Sequence, residues 1–186
     1  MTIILIGPMK VGKSTVARLL AERLGLPRRA LDKNRWKYFG EIGYDEEQFR
    51  RLAKGEGIAA AVSYWKPFEV HAVERHLAEA QDCVADFGAG YTVQQDPALH
   101  ERVARALAAC PHVVLLLPSA DVEDAIQCLA DRVAEELRPL NAHYIRHPAN
   151  RALAKSVVYT SGKSPEETCE EVLCALGLNA QASGAR

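Results

Sequence analysis

Short, uninterrupted apolar runs alternate along the chain with longer segments whose apolar residues recur every three to four positions. The short runs predict strands, and the longer segments predict amphipathic helices. The predicted strands are residues 2–6, 29–31, 83–85, 112–117 and 156–160. Strands that are apolar throughout are typical of a parallel sheet covered on both faces. The pattern therefore predicts an α/β fold of three layers, in which a five-stranded parallel sheet carries helices on both faces.

The helices are delimited by recognisable start and stop signals. The first follows Ser14 and carries an apolar stripe that ends at Gly25. Further helices are predicted at residues 45–54, 68–81, 97–109, 121–137 and 164–177. The last of these opens on Ser164, Pro165 and Glu167, which have the spacing of a capping box.

The length of 186 residues fits one domain. We predict that the domain spans residues 1–178 and that residues 179–186, which are small and polar, form a flexible tail. Inside the domain, residues 33–66 mix aromatic and charged positions, whereas residues 138–155 are polar and basic with partial helical character. Doubly wound sheets bind ligands at the carboxyl ends of their strands, so functional residues are expected directly after the predicted strands.

Composition narrows the classes of function. The formal net charge of −1 gives no general electrostatic basis for binding nucleic acid or an anionic membrane, and neither is expected as a partner. The apolar run at residues 2–6 is too short for a signal peptide or a membrane span. The five cysteines are scattered and form no C-x-x-C pair, which favours a reducing, cytoplasmic setting. We expect a monomer or a homodimer.

The first strand runs into the segment GPMKVGKS, which satisfies the pattern G-x-x-x-x-G-K-[ST] in full. Such a loop turns successive backbone amides toward a phosphate, and the helix that follows adds its positive end. Lys13 is expected to bridge the β- and γ-phosphates of ATP during catalysis, and the Ser14 hydroxyl to ligate Mg²⁺. The sequence thus predicts ATP and Mg²⁺ as cofactors. The predicted nucleotide-binding residues are Gly7, Pro8, Met9, Lys10, Val11, Gly12, Lys13, Ser14 and Thr15.

Several segments also match one known family. They are the opening ILIGPMKVGKSTVARLLAERLGLP, Asp32, the turn Phe87-Gly88-Ala89-Gly90, the triplet Arg138-Pro139-Leu140 and Arg146. Over residues 2–177 the chain resembles shikimate kinases, or the shikimate-kinase-like branch of the nucleoside-monophosphate-kinase fold. The resemblance implies a P-loop NTPase fold with strand order 2-3-1-4-5, an acceptor-binding insertion at about residues 33–66 and a lid at about residues 119–150. It also implies transfer of the γ-phosphate of ATP to a hydroxyl of a small-molecule acceptor.

The positions at which the chain differs from that family are those expected to bind the acceptor. The family's Asp-x-Asp pair has Ala30 at its first position, and its triple glycine is interrupted by Ala89. Its Phe-Arg element, whose arginine holds the substrate carboxylate, aligns with Phe49-Arg50 or, more naturally, with Phe68-Glu69, which lacks the arginine. A tyrosine that follows the family's second arginine is Asn150 here. The resemblance therefore implies the fold and an ATP-dependent transfer, and it leaves the acceptor open.

Two aspartates are candidates for direct roles in transfer. Asp32 is expected to bind the acceptor hydroxyl and take its proton, although it could instead cap a helix. Asp86 follows an apolar strand in the Walker B layout, so it is expected to support Mg²⁺ with Ser14 or to act as the base. A strand-end cap is the alternative for Asp86. Gly88 and Gly90 are expected to let the backbone approach the acceptor.

Basic and aromatic residues complete the predicted site. Arg138 is expected to close over ATP as a catalytic lid residue, in a segment that also carries Arg132, Arg146 and Arg151. Arg146 is a candidate for acceptor binding. Arg35 or Arg50 could hold an acceptor carboxylate. An aromatic group could wall the acceptor pocket or simply pack the insertion: Trp36, Tyr38, Phe39, Tyr44, Tyr64 and Trp65.

The sequence thus predicts a small-molecule kinase that resembles shikimate kinase. Two alternatives stay open at this point. One is a kinase for a nucleoside, a nucleotide or another metabolite, which the aromatic group and the altered glycine turn favour. The other is a regulatory ATPase that binds the nucleotide without an acceptor.

Overall fold

Residues 1–178 of the computed structural model contain one parallel sheet of five strands, in the order β2-β3-β1-β4-β5. The strands are β1 (Ile3–Ile6), β2 (Arg28–Ala30), β3 (Val84–Asp86), β4 (His112–Leu117) and β5 (Ser156–Tyr159). The fold class and the strand order implied by the resemblance are confirmed. The tail predicted at residues 179–186 lies outside the described residues.

Helices cover both faces of the sheet and separate two cores. They are α1 (Lys13–Leu24), α2 (Leu31–Glu41), α3 (Glu46–Gly55), α4 (Ile58–Glu79), α5 (Pro97–Ala108), α6 (Val122–Ala130), α7 (Arg138–Arg146), α8 (Ala149–Leu153) and α9 (Pro165–Ala175). Because side chains alternate along a strand, Ile4 and Ile6 pack with α2, α4, α5 and α8, whereas Ile3 and Leu5 pack with α1, α6 and α9. No helix among residues 1–178 is both long enough and apolar enough to cross a membrane.

The second strand begins and ends one residue earlier than predicted. It ends at Ala30, and Leu31 already opens α2, so Asp32 lies in the first turn of a helix and not at a strand end. Leu31 is fully buried in the core, which brings the start of α2 down onto the sheet. A carboxylate in the first turn of a helix is favoured by the helix dipole. Asp32 nevertheless stays at the carboxyl edge of the sheet, where ligands are expected.

The fourth helix is longer than predicted. It begins at Ile58, ten residues before the predicted start, and continues through Pro67. A proline inside a helix removes one backbone hydrogen bond and usually breaks it. Here Tyr64 and Phe68, one turn apart on either side of Pro67, pack ring to ring at 5.1 Å. Burial of these aromatic side chains therefore offsets the lost hydrogen bond.

The helix predicted at residues 121–137 is two elements. α6 ends at Ala130, and a 3-10 turn at Glu135–Leu137 leads into α7. Val133 is buried whereas Leu137 is exposed, so the two residues do not share the apolar stripe that periodicity suggested. By contrast, the predicted start of the last helix is confirmed, because Ser164 and Glu167 form both bonds of a capping box.

Candidate active site

The loop between β1 and α1 has the backbone of a phosphate cradle. Gly7 has a φ of +139°, and a Cβ there would lie 2.3 Å from the carbonyl oxygen of Leu116. Lys10 and Gly12 also adopt left-handed conformations, with φ of +64° and +102°. Positive φ angles at these three positions turn successive backbone amides toward one point, directly before the N-terminus of α1. This P-loop, Gly7 to Ser14, therefore has the shape that the motif predicts.

Lys13 lies folded over the loop that precedes it. Its side chain is 8% exposed, and Nζ donates hydrogen bonds to the carbonyl oxygens of Gly7 at 2.9 Å and Pro8 at 2.7 Å. Burial lowers the pKa of Lys13 to about 8, against the opposing effect of the Asp32 and Asp86 carboxylates. Both aspartates are thus within electrostatic reach of the same ammonium group.

Asp86, the last residue of β3, is bound from two sides. The Ser14 hydroxyl donates to Oδ2 of Asp86 at 2.7 Å. Arg28 of β2 donates from Nε to Oδ1 at 2.8 Å and from Nη2 to Oδ2 at 3.0 Å. A two-pronged guanidinium contact of this kind holds a carboxylate in one orientation. Asp86 is therefore fixed beside the start of α1.

Asp86 lies next to the position where the resemblance expected the first aspartate of the Asp-x-Asp pair. Ala30 occupies that position, and Ala30 is paired directly with Asp86 across β2 and β3. A carboxylate is therefore present beside this position, on the neighbouring strand.

The pair formed by Ser14 and Asp86 fits Mg²⁺, which prefers oxygen ligands and keeps several waters. Among residues 1–178 no group of three or more His, Cys, Asp or Glu side chains could hold a metal by itself. A metal at this position would therefore share its coordination with phosphate oxygens and water, as in other P-loop sites.

Asp32 lies against the turn that follows β3. A Cβ on Gly88 would lie 2.9 Å from Oδ1 of Asp32 and 2.8 Å from Cε2 of Tyr91, so a side chain at this position would displace Asp32 or Tyr91. Burial raises the pKa of Tyr91, and the nearby Asp32 and Glu69 carboxylates raise it further. The phenol therefore stays protonated beside Asp32.

A second polar group surrounds Gly90 on the same turn. Lys66 donates from Nζ to Oε2 of Glu69 at 2.8 Å and to the carbonyl oxygen of Gly90 at 3.0 Å. A Cβ on Gly90 would lie 3.0 Å from both Oε1 of Glu69 and the Tyr144 hydroxyl. Glu69 was considered in the sequence only because it stands where the Phe-Arg element of the family has its arginine. Lys66 was not considered. Their spacing of three residues on a helix was the signal available.

Arg35 lies between two tryptophan side chains. Its guanidinium carbon lies 4.4 Å from the ring centre of Trp36 and 5.7 Å from that of Trp65. Within residues 1–178 its buried Nε has no hydrogen-bond partner. Arg50, the other arginine considered for a carboxylate, pairs with Glu46 on the exposed surface of α3. Burial raises the pKa values of Glu69 and Tyr91, and the charge of Arg35 opposes both shifts.

The aromatic group packs mainly against itself. Phe39, Tyr44, Tyr64 and Phe68 form ring contacts with centroids between 5.1 and 5.8 Å apart. These rings join α2 to α4, so packing of the insertion explains most of them. Trp36 and Trp65 also pack on aromatic neighbours, and in addition they flank Arg35.

The lid segment contacts the P-loop through a residue that the sequence analysis did not identify. Asn141 of α7 is 4% exposed, and its Oδ1 accepts a hydrogen bond from the Met9 amide at 2.7 Å. The predicted lid arginines lie elsewhere. Arg138 approaches the Val133 carbonyl at 3.4 Å and Asp131 at 3.8 Å, and exposed Arg146 pairs with Glu123 at 2.8 Å.

Arg138 and Arg146 are therefore not brought together with Lys13 or Asp32. Their roles in transfer stay predictions. Asn141 had no local signal, because its partner is 132 positions away along the chain.

A cavity of about 640 Å³ opens beside the P-loop and is large enough for a nucleotide. Gly12 and Thr15 line one side of it, Arg132 lines another, and the loop from Thr160 to Lys163 closes it after β5. The loop after β5 was not predicted to line the site, although it lies at the carboxyl end of a strand, where ligands are expected to bind.

Comparisons with known proteins identify the family of the chain. No family model matches the chain. The chain is 34% identical over 187 residues to a shikimate kinase from Streptomyces coelicolor, with 95% of each sequence covered. It is 33% identical to a shikimate kinase from Streptomyces avermitilis over the same share.

Among solved structures, a shikimate kinase from Acinetobacter baumannii in complex with shikimate has a TM-score of 0.64 and 21% identity. The match covers 97% of this chain and 94% of that one. The identity with the two Streptomyces proteins over nearly the whole length shows that the chain belongs to the shikimate kinase family, a family of ATP-dependent P-loop kinases that act on small molecules.

Proposed function

We propose that the chain transfers the γ-phosphate of MgATP to a hydroxyl group of a small polyhydroxylated acceptor. In this proposal the acceptor lies between the P-loop and the turn from Gly88 to Tyr91. The observation that carries it is the buried position of Lys13 over the P-loop, with the Ser14 hydroxyl bound to Asp86 at 2.7 Å and Asp32 placed against the turn that follows β3. In this proposal Asp86 belongs to the metal side, and Asp32 belongs to the acceptor side.

On the nucleotide side, the P-loop amides and the N-terminus of α1 would bind the phosphates. Lys13 would leave the Gly7 and Pro8 carbonyls and follow the developing negative charge. Ser14 and Asp86 would hold Mg²⁺, with Arg28 keeping Asp86 in place. When bound, the metal neutralises charge on the phosphate oxygens.

On the acceptor side, Asp32 would accept a hydrogen bond from the reacting hydroxyl and take up its proton. Tyr91 would hold Asp32 in position from the buried side, since its raised pKa keeps the phenol a donor. The turn at Gly88 is packed directly against Asp32, which would bring its backbone beside the reacting hydroxyl. Arg138 and Arg146 could join the site only by moving from the contacts described above.

Shikimate is the first acceptor to test, because the Streptomyces relatives are named shikimate kinases. The acceptor-binding residues under this proposal are Asp32, Arg35, Gly88 and Gly90. A cytoplasmic setting is part of the same proposal, supported by the five cysteines, which are all free thiols.

The test is ADP formation from MgATP with a panel of acceptors, using the wild-type chain and Lys13→Ala. We expect at least one polyhydroxylated acceptor to stimulate ADP formation, and Lys13→Ala to reduce the stimulated rate about a hundredfold or more. Lys54→Ala, a change on the exposed surface of α3, is the matched control and should have no effect. Tight ATP binding without stimulation by any acceptor would contradict the proposal and favour a regulatory ATPase.

A further inference from the structure

Asn150 of α8 joins the turn after β3 to the end of α7. The Thr92 hydroxyl donates to Oδ1 of Asn150 at 2.5 Å, and Nδ2 of Asn150 donates to the Tyr144 carbonyl at 3.0 Å. Asn150 is 2% exposed and Thr92 is 1% exposed. In the sequence this position stood out only because the family has a tyrosine there. The structure gives both polar atoms of the buried amide a partner, which holds the side chain in one orientation.

The Tyr144 carbonyl needs this partner for a reason that is visible in the sequence. It is one of the last four carbonyls of α7, and it would accept from the amide of residue 148 if the helix continued. Residue 148 is Pro148, which has no N–H group. Because Nδ2 of Asn150 replaces that missing donor, Asn150 is held against the end of α7 and its Oδ1 is left to bind another segment.

That other segment is the acceptor turn, which we define as residues 88–92. Gln94 donates from its side-chain amide to the Tyr91 carbonyl at 3.1 Å. This bond joins residues three positions apart, so it fixes the shape of the turn. The bond between Thr92 and Asn150 spans 58 positions along the chain. It therefore fixes where the turn lies relative to α7 and α8.

The position of the acceptor turn matters for the proposed transfer. At Gly88 the turn lies against Asp32, because a Cβ there would be 2.9 Å from Oδ1 of the carboxylate. At Gly90 it lies against α7, because a Cβ there would be 3.0 Å from the Tyr144 hydroxyl. A shift of the turn would thus change the space beside Asp32. Misplacement of reacting groups by about 1 Å can lower a rate about a hundredfold.

We infer that Asn150 is a positioning residue for the acceptor, because it holds the acceptor turn through Thr92 at a fixed place beside Asp32. This inference rests on the proposed function. Asn150 is too deeply buried to touch the acceptor itself. Asn141 of α7 contacts the P-loop at Met9. The two asparagines therefore serve opposite sides of the reaction, Asn141 the nucleotide and Asn150 the acceptor.

The experiment breaks the bond between Thr92 and Asn150 with Thr92→Val, which keeps the shape of the side chain and removes the hydroxyl. Thr92→Ser keeps the hydroxyl and is the conservative variant. Thr2→Val is the matched control, because the Thr2 hydroxyl donates to the Ala80 carbonyl at 3.3 Å, beside the amino end of β1. ADP formation is measured with shikimate or, if shikimate is not an acceptor, with the compound of the panel that stimulates wild type most.

In Thr92→Val we expect KM for the acceptor to rise about tenfold, while KM for ATP changes less than about twofold. Thr92→Ser should stay within about threefold of wild type in both constants, and Thr2→Val should match wild type. Asn150→Leu also removes the partner of the Tyr144 carbonyl and should raise KM for the acceptor at least as much. Because Asn150→Leu leaves a buried carbonyl unsatisfied and can fail to fold, Thr92→Val decides the test.

A purely structural role for the bond gives a different result. Partial unfolding lowers the concentration of active protein, so Vmax falls while both KM values stay unchanged. That result would overturn the inference, as would an equal rise of both KM values or a wild-type KM for the acceptor in Thr92→Val. Each of these outcomes would leave the kinase function intact. No Lys13-dependent stimulation by any compound of the panel would instead contradict the proposed function, and the inference with it.

Discussion

Asn141 of α7 forms hydrogen bonds with both the backbone amide and the backbone carbonyl of Met9 in the P-loop. Its Oδ1 accepts from the Met9 amide at 2.7 Å, and its Nδ2 donates to the Met9 carbonyl at 3.4 Å. The contact ties α7 to the P-loop. A side-chain amide that satisfies both backbone groups fixes the distance between the two elements more firmly than an apolar contact does.

Asn141→Ala should weaken nucleotide binding. It leaves the Met9 amide without its partner and frees α7 from the loop, so we expect KM for ATP to rise about tenfold with a smaller change in kcat. Steady-state kinetics at saturating acceptor measure this. Gln48→Ala, on the exposed side of α3, is the control and should behave as wild type. An unchanged KM for ATP would show that the contact does not order the loop.

Arg28 should set the requirement for Mg²⁺. Arg28→Met removes both hydrogen bonds to Asp86 and lets the carboxylate rotate away from Ser14. We expect the Mg²⁺ concentration for half-maximal activity to rise about tenfold, and Arg28→Lys to recover only part of it, because lysine lacks the guanidinium fork. Titrating Mg²⁺ and Mn²⁺ tests this, with Arg18→Met on the exposed face of α1 as the control. Identical metal dependence in Arg28→Met would contradict a metal role for Asp86.

Gly7 and Gly40 should respond in opposite ways to alanine. Gly7→Ala forces a Cβ against the Leu116 carbonyl in a backbone conformation that disfavours side chains, so nucleotide binding or folding should be lost. Gly40 lies in α2 with open space around its Cβ position. Gly40→Ala should therefore raise the free energy of unfolding by about 0.5–1 kcal/mol. Urea unfolding gives the free energy of unfolding of both variants, and binding of an ATP analogue is measured in parallel. A Gly7→Ala protein that folds and binds the analogue normally would contradict the proposed geometry of the P-loop.

The buried His76 should make stability depend on pH. Burial lowers its pKa, and Arg29 lowers it further, against the effects of Glu79 and Asp86. Neither ring nitrogen has a partner within residues 1–178, and the ring meets Tyr38 and Phe87 edge-on. As pH falls below about 6.5, the unfolded chain takes up a proton that the folded chain does not, so the free energy of unfolding should decrease by up to about 1.4 kcal/mol per pH unit.

His76→Phe should remove this contribution. Urea unfolding of wild type and His76→Phe at pH 7.5, 6.5 and 5.5 gives the comparison. The free energy of wild type should fall more steeply over this range than that of the variant. Parallel curves would mean that His76 is not held neutral in the folded chain.

Local patterns in the sequence sufficed for the strands, the P-loop and the capped start of α9, because each depends on residues close together along the chain. Asp32 was assigned to a strand end because its own neighbours do not show that Leu31 is drawn into the core. α4 was predicted too short because the aromatic packing that carries it through Pro67 is tertiary. Asn141 was not recognised as a site residue because its partner, Met9, is distant in sequence.

The most direct test of the account is the effect of Asp32→Asn on phosphate transfer, with Asp124→Asn as a control in the matching first turn of α6. The measurement is formation of phosphorylated acceptor and, separately, binding of the nucleotide. We expect Asp32→Asn to lower kcat about a hundredfold or more, because asparagine cannot take up the proton, while nucleotide affinity changes less than about threefold. A variant that transfers phosphate at the wild-type rate would contradict the assignment of the acceptor hydroxyl to Asp32.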